Sequence, residues 1–106
     1  MDLKLTEEKA ISAIDNGGVV VLDFFAVWCN PCRTLSPKIE ALSEKYNDKI
    51  TVGKIDIEEC DNLVEKYGIR NIPTVLFFKN GIQMDKEVGS VQLEALEQKV
   101  ETLLNT

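Results

Sequence analysis

Cys29 and Cys32 are separated by Asn30 and Pro31, and this C-x-x-C follows Trp28 just after the apolar run Val19 to Phe25. Two thiols one helical turn apart can close a disulfide reversibly, which makes a two-electron dithiol/disulfide couple. The motif alone is weak, because zinc and iron–sulfur sites use the same spacing. Its setting narrows the chemistry. The preceding run reads as a buried strand, and the residues after it have helical spacing, so Cys29 falls at a helix N-terminus. There, unpaired backbone N–H groups and the helix dipole stabilise a thiolate, the form of cysteine that attacks. Pro31 suits the first turn of that helix, because its missing N–H costs nothing there, and it restricts the backbone between the thiols.

Asp23 is the one charge within the apolar run. Burial raises the pKa of a carboxyl. A carboxyl near neutrality can accept the Cys32 proton and return it. The third cysteine, Cys60, follows Glu58 and Glu59. Acidic neighbours disfavour a thiolate, so Cys60 reads as an inert small residue.

Composition removes other chemistries. The chain has no histidine, which excludes Cys-His and Ser-His catalysis. Three cysteines without histidine do not complete a tetrahedral thiolate or thiolate–imidazole site within one chain, so no metal is expected. A net charge of −6 argues against nucleic-acid binding, which needs Lys and Arg on phosphates. The first residues, Met1 to Lys9, lack the apolar core of a signal peptide, and no run approaches the ~18 apolar residues of a membrane span. A cytoplasmic protein without membrane contact is the expectation, in a reducing compartment where a purely structural disulfide is out of place.

The elements that must position these residues follow from periodicity. With 106 residues, 44% of them apolar, and no linker or repeat, residues 1–106 are expected to form a single domain. Thr6 to Asp15 reads as a helix, with Thr6 as N-cap and Ala10, Ile11 and Ile14 on one face, stopped by Gly17-Gly18. Val19 to Phe25 reads as a strand covered on both faces. Leu35, Ile39, Leu42 and Tyr46 mark a long helix interrupted by Pro37. Ile50 to Ile57 is the next strand, and Leu63, Val64 and Tyr67 mark a short helix. Thr74 to Lys79 and Ile82 to Val88 flank Asn80-Gly81, a strong hairpin signal. Ser90 is the expected cap of a last helix carrying Leu93, Leu96, Val100 and Leu103. The order implies an α/β fold with a mixed sheet and helices on both faces.

These residues, taken together, resemble the thioredoxin family. Phe24 to Cys32 is similar to the family's active-site signature. Asp23 stands at the family's buried aspartate, Pro37 at its helix proline and Lys54 at its strand lysine. Tyr67 to Thr74 resembles the segment ending in the family's cis-proline, here Pro73, and Val88-Gly89 resembles the last part of its substrate groove. The resemblance implies the thioredoxin fold, a central five-stranded mixed sheet flanked by four helices. It implies Cys29 as the more exposed nucleophile, Cys32 as the resolving thiol, and Asp23 and Lys54 as a proton-transfer pair. Trp28, Pro31, Ile72, Pro73, Val88 and Gly89 would then bind substrate, with Ile72-Pro73 cis.

The activity it implies is general protein-disulfide reduction by an electron-transfer dithiol oxidoreductase with no bound cofactor. A thioredoxin reductase would recharge the Cys29–Cys32 disulfide, so NADPH would act only indirectly. The implied partners are that reductase and diverse disulfide-containing proteins, met by a monomer. An oxidase or isomerase of secreted proteins, a binding module with passive thiols, and a metal-bridged dimer are the alternatives. Two departures from the family pattern are Asn30, at a position usually held by glycine, and Asn71, where many members also have glycine. An Asn30 amide reaching the Cys29 sulfur would favour the thiolate and raise the potential by ~20 mV.

Overall fold

The computed structural model describes residues 2–106. Its elements run α1 (Glu7–Asp15), β1 (Val19–Phe25), α2 (Asn30–Lys45), β2 (Ile50–Asp56), α3 (Asp61–Lys66), β3 (Thr74–Lys79), β4 (Ile82–Val88) and α4 (Leu93–Leu104). The sheet order is β2-β1-β3-β4, with β1 parallel to β2 and antiparallel to β3, and β3 antiparallel to β4.

The apolar character of β1, broken only by Asp23, has a direct cause. Val19 and Val21 point into a core with Leu35, Ile39 and Leu42 of α2 and Leu96 and Val100 of α4. Val20, Leu22 and Phe24 point the other way, into a core with Ala10 and Ile14 of α1 and Leu63 of α3. A central strand buried on both faces has no solvent side to make polar. This places the C-terminal end of β1 and the start of α2 at one edge of the packed layers.

Local signals hold where the chain makes its own contacts. Thr6 caps α1, its Oγ1 accepting from the Lys9 N–H at 3.2 Å. Asn80 and Gly81 both take positive φ at the β3–β4 turn, the conformation that favours Asn-Gly there. The helix α2 continues through Pro37, whose ring removes the hydrogen bond to the Arg33 carbonyl.

Two expectations are corrected. Among the described residues the sheet has four strands, not five. Residues 3–5 meet β2 in a single parallel bridge, Lys4 with Lys54, through Leu5 N–H to Lys54 C=O and Lys54 N–H to Leu3 C=O, both 2.9 Å. Asp2 Oδ1 takes the Lys4 N–H on one side and the Thr6 cap starts α1 on the other, leaving no length for a strand. Ser90 does not cap α4. Gln92 holds that position, because the Val91 N–H turns back to the Gly89 carbonyl and Lys38 Nζ fixes the Val91 carbonyl. No helix among the described residues is long and apolar enough to cross a membrane.

Candidate active site

Where β1 ends, the chain turns through Ala26 to Trp28 and enters α2 at Cys29, its N-cap residue. The cap is the thiol itself: Cys29 Sγ accepts the backbone N–H of Cys32 at 3.3 Å. An N-cap normally uses an oxygen for this bond, so a sulfur placed there receives the same stabilisation of negative charge. Pro31 occupies the second helical position, where no N–H is missed. Cys29 and Cys32 are joined as a disulfide with Cα atoms 5.3 Å apart. They retain 5% and 3% of their surface, so the expected difference in exposure is nearly absent in the oxidised pair.

The disulfide packs in a small apolar cluster with Ala26, and Phe25, Ile57 and Ile72 press against it. Ile72 is therefore brought to the sulfurs from a distant loop. The Ile72–Pro73 bond is cis, and the buried Pro73 offers its carbonyl to the Gly89 N–H at 2.8 Å. That bond draws the end of β4 to the same loop, leaving Val88 half exposed beside it. Trp28 stands outside the packed cluster with 62% of its surface exposed, which excludes a core role.

Asp23 lies in β1 with no exposed surface, and neither carboxylate oxygen has a hydrogen-bond partner among the described residues. Desolvation pushes its pKa up to about 7, against a smaller downward pull from Lys54. Lys54 is its partner in the β1–β2 register. Yet the ammonium is not on the carboxylate. Lys54 Nζ donates to Ser36 Oγ at 2.6 Å and lies 4.7 Å from the Phe25 ring centroid, a cation–π contact.

Three contributors were not visible in the residue pattern. Ser36 is one; its place one helical turn after Cys32 was the available signal. Arg33 is the second. Its Nε and Nη2 both donate to the Val27 carbonyl, at 3.2 and 2.8 Å, fixing the loop that carries Trp28. Thr74 is the third: its Oγ1 donates to the Asn71 carbonyl at 2.6 Å across the cis-proline turn. The expected Asn30 amide bond is corrected. The hydrogen bond to Cys29 Sγ comes from Cys32, and Asn30 contributes only its carbonyl, to Thr34 Oγ1. Cys60 is buried and unpaired by disulfide, with its pKa raised by desolvation and then by Glu7, Glu59 and Asp56. Among the described residues no group of three or more His, Cys, Asp or Glu side chains is arranged to hold a metal ion.

The arrangement supports thiol–disulfide exchange at the mouth of an apolar surface. Comparison with known proteins points the same way. The family model described as Thioredoxin matches residues 3–102. The chain is 39% identical over 93 residues to the thioredoxin of Bacillus subtilis, covering 88% of this chain and 89% of that one. It is 49% identical over 82 residues to the chloroplastic M-type thioredoxin of Pisum sativum, covering 77% of this chain but 48% of that one. It thus spans about half the length of that chloroplast relative. Among solved structures, a mutant thioredoxin from Halobacterium salinarum NRC-1 superposes with a TM-score of 0.86 at 32% identity, over 98% of this chain and 89% of that one.

Proposed function

Because the chain belongs to the thioredoxin family, whose members are protein-disulfide oxidoreductases, we propose that it is a general protein-disulfide reductase acting through Cys29. The observation that carries this reading is the cysteine pair at the start of α2, with Cys29 Sγ accepting a helix N–H and a buried Asp23 in the preceding strand.

In the reduced protein, the Cys29 thiolate attacks one sulfur of a substrate disulfide. The substrate S–S bond breaks, the leaving thiolate takes a proton, and a mixed disulfide forms. Cys32 gives its proton to the Asp23 carboxylate and attacks the Cys29 sulfur. The second substrate thiolate leaves, and the Cys29–Cys32 disulfide remains. Asp23 returns the Cys32 proton to this thiolate, so two electrons pass to the substrate with two protons, one from solvent and one from Cys32. Ile72, the carbonyl-anchored Pro73 loop, Val88, Gly89 and the exposed Trp28 form the surface that receives an extended substrate segment, and Pro31 shapes the turn between the thiols. Lys54 tunes the Asp23 proton affinity.

The redox group is the cysteine pair itself, so no bound cofactor enters the cycle. A thioredoxin reductase returns the electrons from NADPH, and the other partners are proteins with accessible disulfides. We place the chain as a monomeric single domain, residues 1–106, in the cytoplasm. The test is insulin reduction with NADPH and a thioredoxin reductase. Rapid precipitation of the insulin B chain, absent when either active-site cysteine is replaced, supports the reading. Equal activity in a variant lacking both Cys29 and Cys32 overturns it and favours a passive binding module. A potential near the ~−120 mV of strong oxidants would favour an oxidase instead.

A further inference from the structure

We infer that Ser36 is a positioning residue for proton transfer at Asp23: its hydroxyl holds the Lys54 ammonium aside from the Asp23 carboxylate. The inference rests on the reading of Asp23 as the acceptor of the Cys32 proton.

Asp23 and Lys54 are directly opposed in the parallel β1–β2 register, which puts both side chains on the α2 side of the sheet. Two opposite charges so placed would ordinarily pair. They form no ion pair within 4.0 Å, and both Asp23 oxygens stay without a partner. The ammonium is instead anchored on Ser36 Oγ, with the Phe25 ring as its second support. Phe25, Cys32, Ser36 and Lys54 line one pocket, so the anchored cation and the resolving cysteine face the same cavity.

Several other charged groups on elements packed around Asp23 are engaged elsewhere. Arg33 of α2 holds the Val27 carbonyl and Lys38 the Val91 carbonyl. Asp56 of β2 accepts the Glu58 N–H, and Lys79 of β3 clamps the Leu103 and Thr106 carbonyls. In α4, Glu97 pairs with Lys45 and Lys99 with Asp85. Besides Cys32, the proton donor, Lys54 is the charged group whose field acts on Asp23.

The consequence is chemical. A carboxylate in direct contact with an ammonium is a poor proton acceptor, because the pair stabilises its charged form. Held on Ser36, Lys54 leaves the carboxyl basic enough to take the proton from Cys32 Sγ while the thiolate attacks the Cys29 sulfur. Without the hydroxyl, the ammonium loses its hydrogen bond here, and Asp23, opposite it in the register, offers two oxygens with no other partner.

The experiment is the NMR titration of the Asp23 carboxyl carbon in the full chain. Ser36→Ala should lower the Asp23 midpoint by about one unit, the low end for a new opposite-charge contact. Ser36→Thr, which keeps the hydroxyl, should restore the wild-type midpoint. In a Lys54→Met background, Ser36→Ala should shift nothing. An unchanged or raised midpoint in Ser36→Ala, or the same lowering in the Lys54→Met background, overturns the proposal. The titration needs no turnover, so a wild-type protein inactive on insulin would defeat the reductase reading while the Ser36 result still stands or falls by itself.

Discussion

Asp23 and Lys54 face each other across β1 and β2 without touching: the carboxylate is fully buried and unpartnered, while the ammonium donates to Ser36 Oγ at 2.6 Å. A buried charge left without a partner lowers stability. On the proposed mechanism, that cost falls on the carboxylate that takes up and returns the Cys32 proton.

The first expectation concerns pH. In the unfolded chain Asp23 loses its proton near 3.8; in the folded protein, near 7. Between those values the folded state binds more protons, so stability falls as pH rises through the window and levels off above about 7. A shift of about three units corresponds to roughly 4 kcal/mol. Asp23→Ala removes the penalty at the expense of a small cavity. The oxidised variant should be more stable than wild type by ~2–4 kcal/mol at pH 8, with the difference smallest near pH 4. Denaturant melts at the two pH values measure it. The same variant should slow the resolving step ~100-fold, the size of a lost general base.

Trp28 tests the proposed receiving surface. Trp28 is 62% exposed and packs in no core, so Trp28→Ala should leave stability within about 0.5 kcal/mol. It should raise KM for a protein disulfide about tenfold, a loss of ~1.4 kcal/mol of binding. Thermal melts and insulin kinetics separate the two effects. A large loss of stability with unchanged KM would assign Trp28 to the fold.

Much of this site follows from local residue order, and the remainder does not for physical reasons. The largely apolar β1, the Thr6 cap and the Asn80-Gly81 turn are legible because neighbouring residues decide them. The place of Cys29 at a helix start is legible for the same reason. The Ser36–Lys54 bond joins residues 18 apart on different elements, and a serine and a lysine carry no pattern that announces their meeting. The Arg33 clamp is short-range, yet a surface arginine after a C-x-x-C has many conformations and only the finished loop selects one. The fifth strand implied by family likeness shrinks to the Lys4–Lys54 bridge because Asp2 and Thr6 take the flanking backbone.

That N-terminal segment has its own test. A Cβ on Gly53 would overlap the Leu5 side chain and lie 3.3 Å from Leu22 Cδ2. Gly53→Ala should therefore destabilise by ~1–3 kcal/mol, as overpacking does. The potential should stay at the wild-type value, since Gly53 lies away from the sulfurs. Urea melts and glutathione equilibration check both halves.

Asn30 now carries a different expectation from the one its amide suggests. The Cys29 sulfur is already bonded to the Cys32 N–H, a backbone group that no substitution at residue 30 removes. Asn30→Gly should shift the potential by less than ~10 mV, against the ~20 mV that an amide bond would give. Equilibration with glutathione resolves the difference.

The division of labour between the two thiols is tested most directly by trapping. Reduced Cys29→Ser and Cys32→Ser proteins are each mixed with a disulfide-bonded target, and the adducts are identified by mass spectrometry. Cys32→Ser should accumulate a mixed disulfide through Cys29, because attack proceeds and resolution cannot. Cys29→Ser should form none and should reduce no insulin above background. Stable adducts through Cys32 in the Cys29 variant, with none through Cys29 in the Cys32 variant, would contradict the assignment.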